Sequence, residues 1–271
     1  SSGAGWGERA PAGRSPRPGL HGSAADALPP AACLSEALGR MAPKRVDDIV
    51  DSIGFGCAQW RAVLVGGGIW AADGSELLLI SSITSALGAD WELGGTEKGL
   101  VVTLVYVGVL AGNTVSGLVG DLSGRRMPIL VSYFCIVIFS VLSALSWDVW
   151  SMGVCRMCVG LAFGLGQPAW NTLGAEISPG GSRVLVNAAS QLLFVFGEAY
   201  SAALLWAEDP QLRDLSWRAL LVLGALPSLV LGLAACALLG ESPRYLAARG
   251  RLPEARAALA ALAAANGRPA P

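Results

Sequence analysis

From about residue 61 onward the chain alternates six apolar stretches with short polar breaks marked by Gly, Pro and Asp. The stretches fall near 61–86, 98–119, 128–146, 149–174, 185–207 and 217–239. Each comes close to the roughly 20 residues an α-helix needs to cross a hydrocarbon layer about 30 Å thick. A soluble helical bundle shows one apolar stripe per helix, whereas these runs are apolar on every side. Tryptophans flank the breaks (Trp60, Trp91, Trp147, Trp150, Trp206, Trp217), as expected where amphipathic rings settle at a membrane surface. The pattern predicts an all-α membrane protein with a six-transmembrane-helix bundle over 46–246.

The flanks read differently. Residues 1–45 are rich in Gly, Pro, Ala and Ser and poor in large apolar side chains, so they predict a disordered leader. They lack the charged-then-apolar order of a signal peptide, and Met41 offers an internal start. At the other end, Pro253 opens an Ala/Leu-rich segment, which predicts a short amphipathic helix and linker over 247–271, too short to span. The leader, the Arg125/Arg126 break, Arg183 and the Arg-rich tail outweigh Lys98, Arg213 and Arg218 on the opposite side. With an even number of spans, that asymmetry places both termini in the cytoplasm.

Composition agrees with a lipid-facing chain: 53% hydrophobic and 14% charged residues, with a mean hydropathy of +0.54. A net charge of -1 supplies no field for nucleic acid. The lone histidine, His21, sits in the leader, and the 6 cysteines lie mostly in apolar runs, so no disulfide framework, zinc site or other cofactor is implied. Cys155 and Cys158 form a C-x-x-C inside a span, where small packing residues are the simpler reading than a redox pair. There is no intramembrane histidine, H-E-x-x-H, Gly-x-Ser-x-Gly or phosphate-binding Gly-rich loop, which argues against an enzyme or an ATP-driven pump.

A few polar residues stand inside the spans, where a charge costs at least about 2.5–3.5 kcal/mol and therefore faces protein or water. Asp73 and Glu76 share one face of the first span, Asn113 marks the second, Arg156 the fourth, and Gln191 and Glu198 the fifth. The third and sixth carry no interior ionisable group. Helices one, two, four and five are thus expected to line a polar pathway, with three and six as lipid-side support. Arg156 either neutralises Asp73 or Glu76 as a packing pair, or shares a cavity with them. Three acids to one base leaves a carboxylate without a counter-charge, which suits proton coupling or a cationic solute.

The break after the second span reads Gly117-Leu-Val-Gly-Asp121-Leu-Ser-Gly124-Arg125-Arg126. Small residues there permit a tight turn, and an acid beside paired arginines makes a charge-assisted latch. This pattern resembles the cytoplasmic signature of the major facilitator superfamily. Further resemblances follow in order: Arg156-x-x-x-Gly160-x-x-x-Gly164, then Glu176-Ile-Ser-Pro with Arg183, then Glu241-Ser-Pro-Arg244-Tyr-Leu. The opening Asp-Asp-Ile-Val-Asp-Ser-Ile-Gly-Phe-Gly and Trp70-Ala-Ala-Asp73-Gly-Ser-Glu76 are similar to the synaptic-vesicle-two-related branch and its organic-ion and sugar-porter cousins. Gly240 departs from the proline found in many relatives.

The resemblance covers about 46–269 and implies the amino-terminal half of a twelve-span major facilitator fold. It assigns Asp121, Arg125, Arg126, Glu176, Arg183, Glu241 and Arg244 to a cytoplasmic gating network. It leaves Asp73, Glu76, Arg156 and Glu198 as cavity candidates, which together with the in-span Asn113 and Gln191 make up the expected substrate and ion-coupling cavity. The expected function is transport of a small organic solute, an organic ion, carboxylate or sugar, by alternating access, proton-coupled or facilitative. The expected partners are the lipid bilayer, the solute, and a carboxy-terminal six-span half or a second protomer. The other reading is a non-transporting membrane scaffold built on the same bundle.

Overall fold

The computed structural model describes residues 45–209 and 215–269. The expected leader, apart from Arg45, lies outside the described residues, as do Met41, His21, Arg213 and residues 270–271. Among the described residues, six helices are long and apolar enough to cross a membrane: Cys57–Asp90, Gly95–Ser123, Arg126–Ala144, Val149–Glu176, Gly180–Glu208 and Trp217–Leu238. Three shorter helices complete the described chain: a leading helix Val46–Ile53, a short helix Pro243–Ala248 and a tail helix Leu252–Ala265. Val50 and Ile53 bury against Leu259 and Ala263, so the leading and tail helices share one end of the bundle, called here the terminal face.

Two spans are broken where the apolar pattern reads as continuous. The first is interrupted between Val65 and Ile69 by Gly66, Gly67 and Gly68. A Cβ on Gly66 would strike the Trp170 ring, one on Gly67 the Val63 carbonyl, and one on Gly68 the Leu64 carbonyl and the side chains of Leu231 and Tyr133. The sixth is split at Ala225, between Trp217–Gly224 and Leu226–Leu238. Pro227 has no N–H to return to the carbonyl four residues back. That carbonyl, Leu223 O, instead accepts the hydroxyl of Tyr200 at 2.8 Å.

Without water inside a bilayer, helices associate by close approach and by hydrogen bonds between them. Second and fourth spans meet along a seam of small residues. Cβ atoms on Gly108 or Gly112 would overlap the backbone of the fourth span, and those on Gly160 or Gly164 the backbone of the second. One turn further on, Ser116 donates across the seam to the Leu165 carbonyl at 2.7 Å. First and fifth spans repeat the device: Gly74 abuts the Phe194 carbonyl and Gly197 the Ala71 carbonyl, while the Ser201 hydroxyl bonds the Ser75 carbonyl.

The core is layered along the length of the spans. One apolar cluster, around Val63, Ile69, Tyr133, Phe163, Trp170 and Leu173, occupies the half nearer the terminal face. A second, around Leu79, Ile83, Leu87, Met152, Trp217 and Leu220, fills the far half. Along the first, third and fourth spans, the residues between these clusters are Glu76, Ser140, Ser143 and Arg156, all buried. The bundle therefore holds a polar layer between two greasy ones. The second and fifth spans are the least covered, with 22% of their apolar windows buried against 67% for the first.

Candidate functional site

The polar layer is a closed network. Arg156 Nη1 donates to Glu76 Oε2 at 2.7 Å, linking fourth span to first. Its Nη2 donates to Ser140 Oγ at 3.0 Å and its Nε to Ser143 Oγ at 3.0 Å, both on the third span. Ser140 in turn donates to Glu76 Oε1 at 2.7 Å. Every face of the guanidinium is thereby engaged, and both carboxylate oxygens accept. Such a pair survives in a low-dielectric interior only when its remaining donors and acceptors are satisfied in this way. The serines correct the expectation that the third span is lipid-side support: it carries no charge, yet it closes the network that holds one.

Asp73 stands apart, although it is one turn from Glu76 on the same helix. Gln167 Nε2, on the fourth span next to Pro168, donates to Asp73 Oδ2 at 2.8 Å. A neutral amide partner leaves the carboxylate's charge uncompensated. Trp70, a turn earlier, presents a buried indole N–H with no hydrogen-bond partner among the described residues. Asn113 and Gln191 are exposed on the sparsely covered second and fifth spans, and Glu198 is half-buried. No described residue lies within hydrogen-bond or ion-pair reach of these three side chains.

At the terminal face the expected charge network divides in two. In the first group Arg125 Nη2 meets Asp121 Oδ1 at 3.0 Å, its Nε approaches Glu176 Oε2 at 3.6 Å, and its Nη1 donates to the Gly120 carbonyl at 2.6 Å. Glu241 accepts the backbone N–H of Arg125 at 2.9 Å and of Arg126 at 3.3 Å, a carboxylate on the N-terminus of the third span. Arg249 and Tyr245 donate to the last carbonyls of the second span at Asp121 and Leu122. The Tyr245 ring lies between the Arg125 and Arg249 guanidiniums, 5.3 and 5.6 Å from its centroid. Arg126 reaches the Cys236 carbonyl at the end of the sixth span at 2.7 Å.

The second group centres on Asp47 of the leading helix, 4.0 Å from Arg183 and 3.9 Å from Arg244. Arg183 therefore does not pair with Glu176, as the motif resemblance implies; Glu176 faces Arg125 instead. These distances are long and the groups half exposed, so the second group contributes little to stability.

Sequence reasoning missed Ser140, Ser143 and Gln167, whose signal was a polar residue in an otherwise apolar run. It also missed Asn266. From the end of the tail helix, Asn266 Oδ1 accepts the Ala58 N–H at 2.9 Å, while its Nδ2 donates to Gly54 O at 3.1 Å and Gln59 Oε1 at 2.9 Å. Gln59 passes the connection on, donating to the Ile177 carbonyl at the end of the fourth span at 2.9 Å.

Comparison with known proteins places this geometry in context. The family model described as sugar (and other) transporter matches residues 80–269. The synaptic vesicle 2-related protein of Xenopus laevis is 33% identical over 230 residues, which cover 83% of this chain and 40% of that protein. The organic cation/carnitine transporter 7 of Arabidopsis thaliana is 31% identical over 221 residues, covering 82% and 43%. The chain thus spans about two fifths of the length of these relatives. Among solved structures, the major facilitator proton:xylose symporter XylE bound to 6-bromo-6-deoxy-D-glucose superposes with a TM-score of 0.68 at 20% identity. That match covers 75% of this chain and 49% of XylE, a likeness of fold.

Proposed function

The chain belongs to the sugar (and other) transporter family, and from that premise we propose that it moves a small organic solute across the membrane by alternating access, coupled to protons. The observation that carries this reading is the neighbourhood of two unlike carboxylates in the first span. Glu76 is locked to Arg156 and two serines, and Asp73 one turn away holds only the amide of Gln167. Asp73 is the group for a proton or for the cationic part of a solute. Glu76 and Arg156 are the pair that rearranges when charge arrives beside them: a proton on Glu76 cancels its attraction for Arg156 and frees the guanidinium.

In this reading the terminal face is cytoplasmic, because Arg125, Arg126, Arg183, Arg244, Arg249, Arg251 and Arg256 gather there. The contacts of Arg125 with Asp121 and Glu176, and of Glu241 with the third span, form in one access state and part in the other. The open faces of the second and fifth spans, with Asn113, Gln191 and Glu198, receive a second six-span unit that supplies the opposite wall of the site. That unit is either a carboxy-terminal half or another protomer.

The test is uptake in proteoliposomes by the whole protein that carries this chain, with an imposed pH gradient and a panel of organic cations, carboxylates and sugars. Gradient-driven uptake of one class, lost in Asp73→Asn with unchanged elution on gel filtration, supports the proposal. Uptake indifferent to the gradient removes proton coupling, uptake retained in Asp73→Asn removes that residue from the site, and no uptake at all favours the scaffold.

A further inference from the structure

A cleft of about 230 Å³ opens at the terminal face between the start of the first span and the end of the sixth, roofed by the tail helix. Its walls are unusually small: Ala58 and Ala62 on the first span, Ala237 on the sixth, Ala258 and Ala261 on the tail helix. One side is open: Leu238 of its lining is 45% exposed, and Trp60, next to Arg61 in the chain, is 49% exposed. Arg61 lines this cleft and makes no hydrogen bond or ion pair with any described residue. Glu241, the other charged residue of the lining, has its carboxylate occupied by the N–H groups of Arg125, Arg126 and Ser242. Arg125, Arg126, Arg183, Arg244 and Arg249 of this face each contact a charged group, a carbonyl or a ring; Arg61, exposed and with no such partner among the described residues, stands beside an apolar trough.

We infer that this cleft seats one anionic phospholipid of the surrounding bilayer. Arg61 lies one turn into a membrane-spanning helix next to an exposed tryptophan, the depth at which headgroup phosphates lie. A guanidinium offers two parallel N–H donors that match two phosphate oxygens. The volume suits a phosphate with its glycerol, and an acyl chain leaves the cleft past Leu238 along the sixth span. The alanines keep the trough wide enough for that chain, and the positive charge selects an anionic headgroup over a zwitterionic one. The tail helix forms the roof, so an occupied cleft ties the first span, the sixth span and the tail together. This inference needs the membrane embedding of the bundle but not its transport activity.

The test is native mass spectrometry of the full chain in detergent, titrated with phosphatidylglycerol, with phosphatidylcholine of the same acyl chains, and with glycerol 3-phosphate. The expected result is retention of one phosphatidylglycerol in preference to phosphatidylcholine, weakened about tenfold in Arg61→Gln, the size of one lost charge-assisted contact. Ala62→Phe, which fills the trough and keeps the charge, should also weaken it. Equal retention of the two lipids, or an Arg61→Gln variant that binds as well as the parent, overturns the site. Glycerol 3-phosphate binding as tightly as the lipid overturns the bilayer as its source. Gel-filtration elution of both variants at the parent position separates loss of the site from loss of the fold.

Discussion

Glu76 and Arg156 meet at 2.7 Å from helices eighty positions apart in sequence, with side chains only 4% and 2% exposed. Removing one member strands the other in a medium that cannot solvate it, at a cost of about 3–5 kcal/mol. Glu76→Gln and Arg156→Gln should each lower the melting temperature of the detergent-solubilised protein sharply. The double variant should recover a good part of the loss, because no unmatched charge remains. Strictly additive losses would show that the two residues are not energetically coupled.

The seam between second and fourth spans makes a contrasting pair of glycines. A side chain on Gly160 runs into the Val105 carbonyl, whereas nothing lies within 4 Å of a Cβ on Gly117. Gly160→Leu should abolish the monodisperse folded peak in fluorescence-detected gel filtration. Gly117→Ala should leave it intact or slightly larger, since Ala favours helix over Gly by up to about 1 kcal/mol.

Glu241 caps a helix that it does not belong to. Its Oε1 accepts from the first N–H groups of the third span, and Gly124, just before them, holds a φ of +94, with the carboxylate lying where a Cβ would sit. Glu241→Ala orphans those donors, an expected loss of about 1–3 kcal/mol. Hydrogen exchange should speed up at Arg125 and Arg126. The first turn of the fourth span, capped by its own Asp148 at 2.8 Å, serves as the unaffected control.

Asn266 makes three hydrogen bonds, two that hold the tail helix to the first span at Ala58 and Gln59 and one to Gly54 at the end of the leading helix. Asn266→Ala keeps the apolar contact of Leu259 and Ala263 but loses all three. Limited trypsin cleavage after Arg249 and Arg251 should quicken roughly tenfold, as expected when cleavage follows the population of an opened segment. An unchanged cleavage rate would assign the docking to the apolar contact alone.

The six-helix bundle was legible because lipid demands helices apolar all round, and that demand is written along each run. The charge groups at the terminal face were legible in membership, since acids and bases cluster at helix ends. Their pairing was not: whether Glu176 faces Arg183, near in sequence, or Arg125, on another span, depends on how helices cross, which a motif does not encode. Ser140 and Ser143 escaped notice because a serine in a membrane helix commonly bonds its own backbone, as Ser190 does to Val186 at 2.8 Å. The breaks at Gly66–Gly68 and Pro227 left hydropathy unchanged, since glycine and proline do not interrupt an apolar window. They were written in chain stiffness instead, a property that counting apolar residues passes over.

The buried pair also constrains how the protein is made. Glu76 leaves the ribosome eighty residues ahead of Arg156, about 4–16 s at ordinary elongation rates. During that interval the first span carries a carboxylate for which the membrane has no partner, at an insertion cost of about 2.5–3.5 kcal/mol. Its final seating therefore waits for the fourth span, and the third, with its two serines, has to be in place when the arginine arrives. The order of synthesis and the order of settling into the bilayer are not the same, and it is the third and fourth helices that let the first take its place in the bundle.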